Sequence, residues 1–318
     1  MKFQLVLLSL IALSPARALS QSVTGQSPLT RQALCLDFVP DPGVRIYDAA
    51  VPAPCVDPVT GEVWVYCSNG PTRYVSTSTD GLNFAPPWTP TDHENDPRCT
   101  LMPYPDTNGQ PWWRLYRYHI AYDAFISSRS SDGIHYTPER GFRYVPPASD
   151  GNVGVHHLFH DSAGDTHLFY IADMGGPTHG VRRALSTDGG ETFEFVADNV
   201  LGDMGTGSAN QHVDPKFIRL PDGRLRLFTM HQGGHPATAG SVWAGEIYSF
   251  TSSDDGRTFH LDEGVRLACP DFTQFEVWSL NDPWVVHLPN GKYRMYIAGL
   301  IPDGAGGYSF SILSATAR

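Results

Sequence analysis

The chain has 318 residues, of which 41% are hydrophobic and 17% charged, with 31 glycines. That length suits one large domain or two small ones, and the absence of long helical periodicity argues for an all-β fold. A formal net charge of −11 argues against nucleic acid or another polyanion as the main partner of the whole surface.

Residues 1–18 read as a signal peptide. Lys2 supplies the positive start, Phe3 to Leu13 the apolar core, and Ala16-Arg17-Ala18 a small-x-small cleavage site. The apolar run is too short to span a bilayer, and no second one follows. The expected product is a secreted or periplasmic protein with no membrane attachment after cleavage, comprising residues 19–318 as a single domain. Export permits disulfides. Cys35, Cys55, Cys67, Cys99 and Cys269 are odd in number, so at least one stays unpaired. Cys55 and Cys67 lie on strands joined by a turn at Gly61, which brings them near each other.

From there the chain repeats. The first unit reads Ala53-Pro54-Cys55-Val56, a turn at Gly61, then Val63-Trp64-Val65-Tyr66. The second begins at Asp96-Pro97, turns through Asn108-Gly109 and continues Trp112-Trp113-Arg114-Leu115-Tyr116. The third gives His156-His157-Leu158-Phe159-His160, a turn at Ala163-Gly164, and His167-Leu168-Phe169-Tyr170. The fourth runs Asp214-Pro215-Lys216-Phe217-Ile218-Arg219-Leu220-Pro221-Asp222-Gly223-Arg224-Leu225-Arg226-Leu227-Phe228. The fifth, Asp282 to Tyr296, aligns with it without a gap. Trp112 and Trp113, on a second strand, are expected to pack between units.

A second hairpin closes each of the first four units. It reads Ser78-Thr79-Asp80-Gly81-Leu82-Asn83-Phe84, Ser130-Ser131-Asp132-Gly133-Ile134-His135-Tyr136, Ser186-Thr187-Asp188-Gly189-Gly190-Glu191-Thr192-Phe193, and Ser253-Asp254-Asp255-Gly256-Arg257-Thr258-Phe259. Asp-Gly suits a tight turn, and four near-equal copies cannot all be one active site, so these are read as structural. Two hairpins in series are the content of one propeller blade. The fifth unit ends after three strands, and Phe38-Val39-Pro40-Asp41-Pro42-Gly43-Val44-Arg45-Ile46 matches the closing stretch Phe259 to Leu267 of the fourth. The reading is a five-bladed β-propeller of four antiparallel strands per blade, with the N-terminal strand completing the last blade and closing the ring. The loops at 87–95, 143–153, 202–212, 231–244 and 268–280 are expected to shape one face.

The formula Asp-Pro-x-x-x-x-Leu-Pro-Asp-Gly-x-x-Arg-x-Phe/Tyr in a five-unit chain resembles the five-bladed glycoside hydrolases of families 43, 32 and 130. The Ser-x-Asp-Gly-x-x-Phe hairpins resemble the Asp boxes of sialidases. The first resemblance implies acidic residues at the inner-strand entrances, one acting as base, one as acid and one tuning a pKa. The second implies structural turns away from the active site. The entrance slots are taken as Ala53, Asp96, His156 or His157, Asp214 and Asp282. Family-43 enzymes usually carry an Asp in the first blade, for which Asp48 is the nearest substitute, and their Glu-Gly-Pro entrance has no counterpart. Glu94 and Glu276 are the glutamates nearest a central position.

Inner strands converge on the propeller axis, so Asp96, Asp214 and Asp282 are expected at one funnel, with Asp48 and Glu276 as further candidates. Glycoside cleavage needs two carboxyl groups in opposite protonation states, and crowding supplies the protonated one. The alternative is that each Asp-Pro starts a strand and its carboxylate caps backbone N–H groups. His156, His157, His212, His231 and His235 fall near the entrances. His157 and His212 are candidates for substrate hydrogen bonding, and Trp243, Trp278 and Trp284 for stacking on sugar rings. The histidine spacing defines no metal site, so neither metal nor cofactor is assigned. The expected function is a monomeric glycoside hydrolase acting on an oligo- or polysaccharide. The alternatives are a non-catalytic carbohydrate-binding propeller and a His-dependent polysaccharide lyase.

Overall fold

The computed structural model describes residues 36–86, 88–91, 98–151, 153–161, 163–172, 180–197, 199–201, 212–232 and 245–317. They form five four-stranded antiparallel sheets. The N-terminal strand β1 (Phe38–Pro40) comes first in the chain but belongs to the last blade. The first blade is β2 (Ala50–Val56), β3 (Val63–Asn69), β4 (Thr72–Ser78) and β5 (Thr89–Pro90). The second is β6 (Cys99–Leu101), β7 (Trp113–His119), β8 (Ala124–Ser130) and β9 (Thr137–Pro138). The third is β10 (Gly154–His160), β11 (Thr166–Ala172), β12 (Gly180–Ser186) and β13 (Glu194–Ala197). The fourth is β14 (His212–Arg219), β15 (Leu225–Gln232), β16 (Gly245–Ser252) and β17 (His260–Leu261). The fifth is β18 (Ser279–His287), β19 (Tyr293–Pro302) and β20 (Tyr308–Ala317), completed by β1, which pairs Phe38 with Ala317 and Pro40 with Ala315. The five-bladed reading and the closure through the N-terminal strand both hold.

Closure also repeats an ion pair. An arginine on the second strand of a blade meets a carboxylate at the fourth: Arg114–Glu139 at 2.6 Å, Arg226–Asp262 at 3.3 Å and, in the last blade, Arg294–Asp41 at 3.2 Å. Asp41 does for the fifth blade what Asp262 does for the fourth, although it comes from the other end of the chain.

The hydrophobic core is divided into five clusters, each lying chiefly between consecutive blades. Phe159, Phe169, Phe217, Leu227 and Phe250 join the third and fourth, for example. Trp113 lies in the cluster between the first and second blades, and Trp112 is also buried.

The four Ser-x-Asp turns share one hydrogen-bond scheme. In the first, the Ser78 hydroxyl donates to Asp80 Oδ1 at 2.8 Å and accepts from Gly81 N–H at 2.9 Å, while Leu82 and Asn83 N–H donate to Asp80 Oδ1. In the fourth, the aspartate is Asp254 and its serine is Ser252, one residue earlier than the sequence alignment placed them; Asp255 is an added residue at φ +56°. Each turn seats its glycine on an aromatic of the preceding blade. A Cβ on Gly81 would lie 2.7 Å from the Tyr296 hydroxyl, one on Gly190 would overlap the Tyr116 hydroxyl, and Gly256 faces Phe169. Glycine is required there by both the approach and the positive φ.

Cys55, Cys67 and Cys269 are free thiols. Cys55 stands opposite Trp64 and Cys67 opposite Tyr74, so the ladder does not face the first two cysteines toward each other. Burial pushes the Cys67 and Cys269 thiols up to about 12, leaving them unreactive. Cys35, residues 1–18 with the expected signal peptide, Asp96, Glu94, His235 and Trp243 all lie outside the described residues. Among the described residues no helix is long and apolar enough to cross a membrane.

Candidate functional site

The inner strands do not enter the axis smoothly. In β14, Val213 faces Met230 and Lys216 faces Phe228, so three steps on the inner strand match two on its neighbour. The same bulge separates Asn281 from Trp284 in β18 and Ala50 from Ala53 in β2. One extra residue bends the strand and redirects a side chain. The redirected residues are Asp214 at φ +57° and Asp282 at φ +50°, each followed by proline. Proline is tolerated because the inner strand is a sheet edge.

This register corrects two entrance assignments. In the first blade the slot is Val51-Pro52, with Val51 at φ +54°, rather than Ala53-Pro54. In the third, Gly154 faces Ile171 and His157 faces Phe169, which puts Val155 in the slot instead of His156 or His157. Two of the five entrances therefore carry valine. A β-branched residue at positive φ is strained, and Val51 keeps the backbone geometry of an Asp entrance without the carboxylate.

Asp214 and Asp282 come together. The Asp282 backbone N–H donates to Asp214 Oδ2 at 3.2 Å. Arg98 Nη2 lies 3.3 Å from Asp282 Oδ1, an ion pair beside the Asp214 carboxyl. Asp214 is 6% exposed. Burial first and the Asp282 charge second push its carboxyl up to about 7, against the opposing pull of Lys216, Arg98 and the Asp282 N–H. The pair thus contains one carboxyl that holds its proton near neutrality and one tied to a guanidinium.

The floor beneath them is built from the residues two places after each slot. These are Ala53, Arg98, His157, Lys216 and Trp284, all buried or nearly so. Lys216 is 1% exposed; its ammonium sits 5.1 Å over the Trp284 ring and donates to the His156 carbonyl at 3.3 Å. His157 meets Trp284 edge-on at 4.8 Å, and its Nδ1 accepts the Phe217 N–H at 3.3 Å. Burial and then Lys216 hold the His157 imidazole well below its ordinary value, so it stays neutral.

Several expected substrate contacts are corrected by burial. Trp284 is 7% exposed and forms part of this floor, with no open face for a sugar. His212 turns into its blade, where Nδ1 is 2.9 Å from Thr229 Oγ1 and the ring packs on Phe250 and Tyr248. Burial and then His231 hold it down to about 3. His156 hydrogen-bonds the Tyr116 carbonyl through Nε2 at 2.8 Å and is a blade-to-blade contact. Trp278 is partly buried and packs tilted against Tyr308, ring centroids 4.8 Å apart, at the edge of the fifth blade.

Asp48 is exposed and lines a separate groove of about 250 Å³ with Asn69, Gly70 and Phe310, between the first and fifth blades. Glu276 is exposed on the segment before β18. The charges that act most on Asp214 are those of Asp282, Lys216 and Arg98. Neither Arg98 nor Lys216 was singled out from the sequence. The available signal was a cation directly after Asp-Pro, where the fifth blade carries tryptophan.

A cleft of about 620 Å³ adjoins the pair on the same face, between the second and third blades. Arg98 is common to both. Arg117, Tyr118, His119 and Ile120 line one side and Val153 to His156 the other. Among the described residues no group of three or more His, Cys, Asp or Glu side chains could hold a metal ion.

No family model matches the sequence, and no curated protein matches it. Solved structures do. A thermostable family-43 glycoside hydrolase aligns with a TM-score of 0.62 at 10% identity, over 87% of this chain and 91% of that one. The catalytic domain of a GH62 α-L-arabinofuranosidase of Coprinopsis cinerea gives 0.62 at 13% identity, over 89% and 95%. An N-acetylgalactosamine deacetylase from F. plautii, in complex with blood group B trisaccharide, gives 0.63 at 13%, over 88% and 95%. The five-bladed fold resembled in the blade formula is therefore the fold found, and at this identity the likeness concerns the fold alone.

Proposed function

We propose that this protein is an exported glycoside hydrolase acting on an oligo- or polysaccharide at the axial funnel. The observation that carries the reading is the Asp214–Asp282 pair, in which one carboxyl keeps its proton near neutrality because it is buried beside the other. Glycoside cleavage needs such a group to protonate the departing sugar oxygen, and a second carboxylate to activate water or attack the anomeric carbon. Asp214 is the proton donor. Asp282, held by Arg98, tunes the donor's pKa. Asp96, in the equivalent Asp-Pro position of the second blade by sequence, is assigned the role of the second carboxylate. Carbohydrate ligands or substrates are common to the three similar structures named above, two of them glycoside hydrolases, which supports a sugar at this fold's axis. The signal-like segment at 1–18 supports export.

A second reading is favoured by Val51 and Val155. With two entrances lacking an acid, the propeller is a carbohydrate-binding protein without turnover. Hydrolysis of a broad plant, algal and bacterial glycan panel by wild type, Asp96→Asn, Asp214→Asn and Asp282→Asn separates the two. Product release that vanishes in folded variants establishes the hydrolase; retained binding with no release by wild type establishes the binding protein. Unsaturated products would instead mark a lyase.

A further inference from the structure

The face that carries the carboxyl pair also carries most of the exposed tyrosines. Inner strands start at this face and second strands run antiparallel to them, so the turns after β7 and β19 lie on it. Among the described residues four tyrosines are exposed. Tyr47, Tyr122 and Tyr308 stand at this end, whereas the Tyr104 hydroxyl donates to the Gly189 carbonyl at the end of the Ser-x-Asp turns.

Two of these tyrosines are held alike. Tyr122, 58% exposed, follows β7 in the second blade; its ring stacks on His119 at 4.3 Å, and the exposed Phe142 ring lies 5.7 Å away. Tyr308, 46% exposed, opens β20 in the fifth blade and packs against Trp278, ring centroids 4.8 Å apart. An aspartate closes each turn. The Tyr118 hydroxyl donates to Asp123 Oδ1, and the Asp123 N–H to the Ile120 carbonyl at 3.3 Å. Asp303 Oδ1 accepts the Ala305 and Gly307 N–H groups at 2.7 and 2.9 Å. Each ring is thus fixed by a second ring and keeps one side open to solvent. The second and fifth blades are not neighbours: the first lies between them on one side, the third and fourth on the other. A straight path between the two tyrosines therefore passes close to the axis and its carboxyl pair.

We infer that this face binds a polymeric glycan laid across the axis, with Tyr122 and Tyr308 each stacking on a sugar ring, one on either flank of the carboxyl pair. A tyrosine offers an apolar ring to the C–H face of a sugar and a hydroxyl to its polar edge, and loses little conformational freedom on binding. One contiguous apolar patch would suit a protein partner. Two rings set apart by a funnel suit a chain whose face repeats. The inference deepens the proposed hydrolase by making its substrate a polymer rather than a short oligosaccharide, and it rests on that reading only for cleavage.

The test is affinity electrophoresis of the full chain through gels holding soluble arabinan, arabinoxylan, pectic galactan or mixed-linkage glucan, with calorimetry on the trisaccharide of each. At least one polymer is expected to retard the protein, with an affinity about 10-fold or more above that of its trisaccharide. Tyr122→Ala and Tyr308→Ala are each expected to weaken polymer binding about 3- to 10-fold, the scale of one aromatic contact, at an unchanged melting temperature. Phenylalanine at either position should retain most of the binding, and the double alanine variant should lose the advantage of polymer over trisaccharide. Equal affinity for polymer and trisaccharide, or polymer binding that survives both substitutions, overturns the inference. So does a dimer in sedimentation that Tyr122→Ala dissolves, which would make this surface a contact between copies of the chain. Polymer bound with the expected dependence but never cleaved leaves the inference standing and removes the hydrolase. Cleavage of short oligosaccharides without polymer binding does the reverse, and no binding to any glycan removes both.

Discussion

The two ends of the same strands obey different rules. At the end carrying the Ser-x-Asp turns, four blades repeat one hydrogen-bond scheme, and the described scaffold adds a repeated arginine–carboxylate pair. At the opposite end, the equivalent positions hold Val51, Val155, Asp214 and Asp282, with Asp96 in the fifth by sequence. The backbone device is retained at both valine entrances, as a bulge, but the side chain it aims has changed. Repetition marks what every blade needs to dock on its neighbour. Departure from it marks what a ligand at the axis uses.

The largest effect expected from breaking this contrast is on activity at the irregular end. Asp214→Asn should lower turnover by about 10²–10⁴-fold, the contribution of general acid catalysis, while the circular dichroism spectrum stays that of the wild type. A loss of fold instead would move Asp214 to the structural side of the comparison. The pH profile sharpens the assignment. With Asp214 titrating at about 7, activity should fall as pH rises through that value. Stability carries a matching sign. The folded pKa lies above the unfolded one, so between about 4 and 7 the native state binds the extra proton, and stability falls as pH rises through that window. Asp214→Asn removes that dependence, and melting curves across pH 4 to 8 read it directly.

At the regular end the effects should fall on stability. Gly190→Ala puts a methyl group into the Tyr116 hydroxyl at φ +86° and should cost about 2 kcal/mol or more, measured by denaturant unfolding. An unchanged midpoint would show that the interblade seat is adaptable. Asp188→Ala removes the acceptor of the Ser186 hydroxyl and of the Glu191 and Thr192 N–H groups and should cost about 1 kcal/mol, as losing a helix cap does. Burial works against the ionised form of Asp188, but the Ser186 and Thr192 hydroxyls and the turn N–H groups hold its carboxyl down to about 2. Its contribution is therefore complete above pH 4 and is lost as pH falls toward 2. An effect of similar size and opposite sign belongs to the valine entrance. Val51→Asn should gain about 1 kcal/mol, because asparagine adopts φ +54° with less strain; a loss would mean that the valine side chain contributes more than its backbone costs.

Some of the site was legible in advance. Asp214 and Asp282 stood out because Asp-Pro recurs at a fixed distance before Pro-x-Gly turns, and a propeller brings such positions to one axis. Asp48 was attractive by chain distance alone, and the fold leaves it in a groove between blades. Trp284 and His212 carry the residue types that sugars favour, yet strand alternation and burial turn them inward. Lys216 and Arg98 were passed over because a cation in an apolar inner strand reads as a solvated side chain until its neighbours are known.

The sequence by itself determined the number of blades, their strands, the turns and the closure by residues 38–46. Those features are local: they rest on period-two alternation, Asp-Gly turn chemistry and a repeat that can be aligned with itself. The tertiary structure alone decided which residue fills each entrance, since a single bulged residue shifts the register and exchanges Val51 for Ala53. It also decided that Asp214 keeps its proton, because that depends on Asp282 from the next blade and on burial at the axis. Neither exists until the ring is closed.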